Sequence, residues 1–279
     1  MAKILDGQKL AQKILADIKK EIREKSIQLK LVVVQIGDNP ASEIYIAQKK
    51  KASKDVGIDF ELFIFPSDIE IEKLKTELFS IARDPANSGI IVQLPLPKLM
   101  NVQDILNIIP SEKDVDVLSE QNMGKFYAGN SEILPPVVSA ISALFKKYNI
   151  KVAGKSVLVV GAGRLVGKPL SVWLIQQSAT VFVANSATKN LSYLSRNADI
   201  VISGVGKSNL ITKNMIKKGA VVIDAGTSVG SGKSRGDVDF KNVQKKADFI
   251  TPVPGGVGPL TVAYLLKNLL ILNQKDHES

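Results

Sequence analysis

Between Gly154 and Pro169 the chain reads GKSVLVVGAGRLVGKP, and no other stretch limits the possible folds as tightly. An apolar, β-branched run at residues 156–160 stops at Gly161-Ala162-Gly163, and Gly167 opens a helical pattern over residues 169–177. A strand, a tight glycine turn and a helix N-terminus in that order hold a pyrophosphate on backbone N–H groups and the positive end of the helix dipole. The spacing is G-x-G-x-x-x-G, one residue longer than the commonest dinucleotide fingerprint, so a plain glycine turn competes with this reading while the motif stands by itself.

Strands and helices alternate on both sides of this unit. Residues 31–36, 58–65 and 89–94 read as strands, and residues 6–25, 40–56, 69–83, 102–108 and 137–148 as helices. Further strands are expected at 180–184, 200–203, 221–224 and 249–250, with a last helix from residue 261. This alternation specifies an α/β fold with parallel sheets whose ligands bind at the carboxyl ends of the strands. At 279 residues two domains are expected: an N-terminal α/β domain at 1–138, completed by 259–279, and a Rossmann-type dinucleotide-binding domain at 139–258. The C-terminal helix then returns to the first domain. Polar loops are expected around Asn122, Gly124 and Gly129. The segment 251–259, TPVPGGVGP, reads as an irregular loop that caps a helix or admits a flat ligand to the backbone.

Composition narrows the partners. The formal charge of +10 suits anionic ligands, but the lysines are spread over most helices and aromatics make up only 5% of residues, so no base-stacking platform and no nucleic-acid partner are expected. There is no cysteine, and the single histidine, His277, lies in a polar tail and is given no role, so no metal site is expected. The first residues lack the apolar core of a signal peptide. The run 260–272 contains Lys267 and Asn268 and falls short of the roughly 18 apolar residues that span a bilayer. A cytoplasmic protein without membrane association is the expectation.

Two local patterns suggest chemistry. On the helix at 40–56, Ser42, Tyr45 and Lys49 share one face while Lys50, Lys51 and Lys54 point elsewhere. Sites for NAD usually place an acid about 20 residues beyond the glycines, on the ribose 2′-OH. Here the second strand ends in Asn185-Ser186-Ala187-Thr188-Lys189, without an acid. Ser186, Thr188 and Arg164 offer donors to a 2′-phosphate, which favours NADP with NAD as the alternative. Ser186 and Thr188 read equally well as a helix cap.

Taken together the motifs resemble the bifunctional methylenetetrahydrofolate dehydrogenase/methenyltetrahydrofolate cyclohydrolase family. The pieces are Pro40-Ala41-Ser42 through Tyr45 and Lys49, VQLPLP at 92–97, KDVD at 113–116, VGKP at 166–169, GDV at 236–238 and TPVPGGVGP at 251–259. They fall in the family's order over nearly the whole chain. The resemblance implies oxidation of 5,10-methylenetetrahydrofolate by NADP, then hydrolysis of the methenyl product to 10-formyltetrahydrofolate, in one-carbon metabolism.

The resemblance also implies residue roles. Lys49 becomes the catalytic lysine of hydrolysis, Gln93 its hydrogen-bond partner and Asp116 the anchor of the pterin. Ser42, Tyr45, Pro254, Gly255, Gly256 and Pro259 become substrate contacts. Gly161, Ala162, Gly163, Arg164, Gly167, Ser186, Thr188, Gly226 and Thr227 become the cofactor set. A homodimer formed through the cofactor domain is implied as well. The chain departs from the family's usual pattern at Val117, where KDVD is followed by glycine, and at Val137 and Val138, where Thr and Pro are usual. It departs again at Gly161-Ala162-Gly163, where G-R-S is usual, and at Asn185, where histidine is common. The alternatives are a related Rossmann dehydrogenase without the hydrolytic step, and a non-catalytic nucleotide- or nucleic-acid-binding protein.

Overall fold

The computed structural model describes residues 1–230 and 233–274; His277 lies outside the described residues. In chain order the first elements are β1 (Lys3–Ile4), α1 (Gly7–Lys25), β2 (Lys30–Ile36), α2 (Pro40–Val56), β3 (Asp59–Phe65), α3 (Ile71–Arg83) and β4 (Gly89–Val92). Then come α4 (Val102–Leu106), α5 (Glu120–Tyr127), α6 (Pro136–Lys147), β5 (Ser156–Val160), α7 (Gly167–Gln176), β6 (Thr180–Ala184) and α8 (Leu191–Asn197). The rest is β7 (Ile200–Ser203), β8 (Val221–Asp224), β9 (Ser228–Gly230), β10 (Lys233–Arg235), α9 (Phe240–Val243), β11 (Phe249–Ile250) and α10 (Val257–Leu272).

The chain divides into two compact units. One takes Met1–Ala11 with Val137–Thr261, the other Gln12–Pro136 with the chain from Val262 onward. In the second unit a parallel sheet of order β3-β2-β4 is sandwiched between helices. The period of two along β2 decides which helices lie on which face. Leu31 and Val33 pack with Ile18 and Ile22 of α1, Ile46 and Val56 of α2, and Leu265, Leu266 and Leu269 of α10. Val32, Val34 and Ile36 face the other way, onto Leu74, Leu78 and Ile81 of α3 and Ile105 of α4. A strand covered on both faces reads as a continuous apolar run, and β2 does.

In the first unit a six-stranded parallel sheet runs β1-β11-β8-β7-β5-β6. Its central strands β7 and β8 are buried along their whole length, whereas β6, at one edge, exposes Phe182 and Val183. The strand β1 is only two residues long and gains its partners from β11. β9 and β10 form a separate antiparallel pair.

Three local expectations change. Residues 120–127, expected as polar loop, form α5, started by the Ser119 side chain accepting from Asn122 N–H. The last helix begins at Val257 rather than at residue 261, because Pro259 sits in its first turn, where a missing N–H has no partner to lose. The β9–β10 pair and the two-residue β1 carry no length of alternating pattern that marks a strand.

Candidate functional site

The helix α2 starts at Pro40, whose fixed φ suits a first helical position, and carries four lysines on its second half. Lys50, Lys51 and Lys54 are exposed, and Lys49 is buried at 8% relative exposure. Its Nζ donates to Gln93 Oε1 at 2.8 Å. The Gln93 amide is oriented in turn, because its Nε2 donates to the Leu94 carbonyl at 2.9 Å and its backbone N–H donates to Val34 O at 2.8 Å. Ser42, also buried, reaches the same Leu94 carbonyl with its hydroxyl at 3.4 Å. Ser42, Lys49 and Gln93 are therefore brought together at the carboxyl end of β4, with Tyr45 half-buried on the same helix.

The segment after β4 supplies the acids, and the two aspartates differ in task. Asp114 is buried and accepts from Leu118 N, Ser119 N at 2.9 Å, Ser119 Oγ at 2.6 Å and Asn122 Nδ2 at 3.2 Å, so it folds the turn that follows it. Asp116 is the acid that couples to Lys49. Burial raises its pKa above the ordinary carboxylate value, the charge of Lys49 opposes that, and Asp114 adds to it. Burial lowers the pKa of Lys49 below the ordinary lysine value, and the Asp116 charge works against the shift. Each charge restrains the neutralisation that desolvation would impose on the other.

The turn carrying Asp116 is held from two sides. Asn268 on α10, buried, donates to Val115 O and to Leu134 O, both at 2.9 Å. Val117 follows Asp116 with φ +58, a left-handed conformation that is costly for a β-branched side chain. The Asp114 side chain fixes the N–H groups of Leu118 and Ser119 after it, the Val117 N–H itself donates to Asp114 O at 3.3 Å, and the valine side chain is buried, so the conformation is over-determined by its surroundings. This accounts for how the chain tolerates a valine where the resembled pattern has glycine. No spacing signal points to Asn268, because it acts on backbone carbonyls more than a hundred positions away.

The six-stranded unit builds the second region. Gly161 ends β5 at φ +104, which a side chain would resist, and Gly167 lies so close to the Gly161 carbonyl that a Cβ would overlap it. The turn over Gly161, Ala162, Gly163 and Arg164 leads into α7, whose N-cap is Val166 and whose first N–H groups receive no side-chain cap. The Lys168 N–H donates to Gly163 O at 3.0 Å and Pro169 has none, so the Gly167 N–H, the dipole of α7 and the missing Cβ at Gly161, Gly163 and Gly167 are what fit a pyrophosphate. After β6, Thr188 Oγ1 accepts from Asn185 N at 3.0 Å and Asn185 Oδ1 accepts from Ala187 N at 2.9 Å, closing a short turn on which Ser186 is exposed. Gly226 and Thr227 follow β8, with Gly226 N–H donating to Asp224 Oδ1 at 3.1 Å. Pro254, Gly255, Gly256 and Pro259 belong to this same unit, where Gly255 O accepts from Gln8 N at 2.8 Å. Val137 and Val138 are buried side chains of α6. Among the described residues no helix is long and apolar enough to cross a membrane.

Residues 5–116 match the model of the tetrahydrofolate dehydrogenase/cyclohydrolase catalytic domain, and residues 135–277 match that of the same family's NAD(P)-binding domain. The chain belongs to the tetrahydrofolate dehydrogenase/cyclohydrolase family. It is 45% identical over 280 aligned positions to a bifunctional protein FolD of Lactobacillus gasseri, covering 99% of each chain. Among solved structures it resembles the bifunctional FolD enzyme of Campylobacter jejuni, with a TM-score of 0.92, 38% identity and coverage of 99% of this chain and 100% of that one. It also resembles the FolD of Trypanosoma brucei solved with NADP and an inhibitor, with a TM-score of 0.94, 34% identity and coverage of 100% and 99%. The two family domains correspond to the two kinds of site: the buried lysine lies within the catalytic-domain match and the glycine turn within the NAD(P)-binding match.

Proposed function

We propose that this chain oxidises 5,10-methylenetetrahydrofolate to 5,10-methenyltetrahydrofolate with NADP and then hydrolyses the methenyl compound to 10-formyltetrahydrofolate. The observation that carries this reading is the buried Lys49 amine held at 2.8 Å by Gln93 in a chain of this family. A buried lysine with a lowered pKa has an accessible neutral form, and a neutral amine that donates one N–H to Gln93 keeps its lone pair for a proton. Lys49 takes the proton from water as the water oxygen bonds to the methenyl carbon, and returns a proton to the folate nitrogen as the carbon–nitrogen bond to that atom breaks. Gln93 keeps the amine aimed through this exchange. Asp116 receives the pterin amino and ring N–H groups, for which a carboxylate is the stronger acceptor. Tyr45 and Ser42 line the same helix face, and Pro254, Gly255, Gly256 and Pro259 are assigned as substrate contacts on the family motif they belong to.

NADP, when bound, accepts the hydride that leaves the methylene carbon. The substrate's own nitrogen lone pair drives that departure, so the chain needs no side-chain acid for it and supplies positioning. Ala162, Gly163 and Gly167 present backbone N–H groups to the pyrophosphate, Gly161, whose own N–H donates to Ala184 O at 2.8 Å, leaves room for it, and Arg164, Ser186 and Thr188 meet the 2′-phosphate, with Gly226 and Thr227 lining a strand end of the same sheet. The protein works in the cytoplasm as a homodimer joined through the cofactor domain. Support for that interface comes from β6, whose edge is unpaired in the sheet and whose Phe182 and Val183 are exposed.

The test is to assay purified protein for each half-reaction separately: hydrolysis of methenyltetrahydrofolate without nucleotide, and NADP reduction with the methylene substrate. Both are expected. Reduction without hydrolysis would leave a dehydrogenase alone, and neither activity, with salt-sensitive binding to DNA or RNA, would overturn the reading.

A further inference from the structure

Two buried acids of the six-stranded unit take no part in the chemistry above. Asp224 closes β8, and Asp237 lies just beyond β10 at 0% exposure. Asp237 accepts from Ser203 Oγ at 2.8 Å, from Val205 N at 2.7 Å and from Lys207 N at 2.7 Å. Asp224 accepts from Gly226 N at 3.1 Å, Asp237 N at 3.1 Å and Val238 N at 2.9 Å. Backbone donors from the loop after β7, the loop after β8 and the segment after β10 thus converge on two carboxylates. A carboxylate out of water persists only where such donors satisfy it, and charged acceptors make the stronger bonds. The packing around the pair is tight: a Cβ at Gly226 would overlap the Asp237 carboxylate, and one at Gly236 would overlap that of Asp224.

The loop that Asp237 holds is the bed of the glycine turn. A Cβ at Gly161 would lie 2.9 Å from Gly204 O and 3.2 Å from Val205 Cγ2, and one at Gly204 would overlap the Val166 side chain. Both ends of the turn therefore rest on residues 204–205, directly beside the Val205 N–H that Asp237 binds. The Val205 and Lys207 N–H groups of that loop are already taken by the Asp237 side chain. A pyrophosphate arriving at this sheet edge meets the N–H groups of Ala162, Gly163 and Gly167, while those beneath them are committed to Asp237.

We propose that Asp237, itself seated by Asp224, is a positioning residue for the dinucleotide: it fixes the loop 204–207 under the glycine turn and so sets nucleotide affinity without touching the nucleotide. This rests on the reading that the turn holds NADP. The experiment is calorimetric titration of NADP into wild type, Asp237→Asn, Ser203→Ala and Gly167→Ala, with thermal unfolding and nucleotide-free methenyl hydrolysis measured on each. Asparagine keeps the shape but turns an N–H₂ toward donors, so the NADP Kd is expected to rise about ten- to a hundredfold, while hydrolysis stays within about twofold. Ser203→Ala removes one bond to Asp237 and leaves both backbone bonds, and is expected to raise Kd by about two- to fivefold. If Asp237→Asn does not fold, Ser203→Ala decides alone.

Weakened NADP binding in Gly167→Ala together with wild-type binding in the Asp237 and Ser203 variants would overturn the positioning role and leave the cofactor reading intact. Unchanged binding in Gly167→Ala would overturn the cofactor reading itself, and the proposal with it. Loss of hydrolysis and of NADP affinity by the same factor in Asp237→Asn would show a general structural role and also overturn the proposal.

Discussion

Replacing Lys49 by methionine keeps the length and most of the volume of a buried side chain and removes its only proton-transfer atom. The bond from Nζ to Gln93 Oε1 at 2.8 Å disappears, which leaves a buried acceptor unsatisfied at a cost of about 1 to 3 kcal/mol. The desolvation that lowers the lysine pKa disappears as well, so the net change in folding stability is expected within about 2 kcal/mol. The catalytic loss is much larger. General acid–base transfer contributes about 10²- to 10⁴-fold, so hydrolysis is expected to fall by that factor, about 3 to 5.5 kcal/mol of barrier. NADP affinity is expected to hold, since the cofactor set lies in the other unit. The assay follows loss of the methenyl chromophore in nucleotide-free buffer, with denaturant unfolding as the control for folding. Wild-type hydrolysis should also rise with pH through a pKa below the ordinary lysine value, because the neutral amine is the base, and that limb should be absent from the variant. The same lowered pKa means that the unfolded chain binds more protons than the folded one between that pKa and 10.5, so this group makes stability rise with pH across that window. Hydrolysis by Lys49→Met at near the wild-type rate would refute the assignment.

Asp116→Ala is expected to raise the KM for folate and impair both reactions, by about ten- to a hundredfold in kcat/KM; an effect on one reaction alone would show that it is not the pterin anchor. NADP is expected to bind more tightly than NAD by about 1 to 3 kcal/mol, and Arg164→Ala or Ser186→Ala should shrink the gap. Equal affinities unchanged by either substitution would show a turn that reads only the pyrophosphate. Asp224 has its pKa pushed up to about 6, by burial first, partly countered by its bonds from Val238, Asp237 and Gly226 N–H. The folded chain then holds a proton that the unfolded chain sheds near pH 4, so stability should fall as pH rises from about 4 to 6, by about 2 to 3 kcal/mol from this group. Urea unfolding across that range should show the slope in wild type and lose it in Asp224→Asn; an unchanged slope would rule the group out.

Much of the architecture was legible because its strands are continuous apolar runs between helical patterns. The expected bounds of α2, β6, β7, β8 and β11 coincide with those observed. What was not legible depended on partners distant in sequence. β1 is a strand only because β11 lies beside it, and α5 forms although Gly124 lies inside it, because Ser119 caps its start. In the catalytic unit, helical spacing placed Ser42, Tyr45 and Lys49 on one face, and the structure adds that Lys49 is the buried one of the α2 lysines. The residue pattern alone could not separate the turn-forming Asp114 from Asp116, since both sit in the same four-residue motif; the family resemblance singled out Asp116, and the structure adds that Asp114 is the one held by the turn's own donors. Asn268 and Asp224 were invisible for a related reason: their side chains bond main-chain groups, which carry no residue signature, and Asp237 entered only as part of the GDV motif, with no sign of its partners.

The most direct measurement uses 5,10-methylenetetrahydrofolate carrying two deuterium atoms on its methylene carbon, with NADP, in heavy-oxygen water, and mass analysis of both products. Reduced nucleotide with one deuterium is expected, together with 10-formyltetrahydrofolate that retains the other deuterium and carries the heavy oxygen in its formyl group. Reduced nucleotide without deuterium, or a methenyl compound that accumulates with no labelled formyl product, would contradict the assignment of both reactions to this chain.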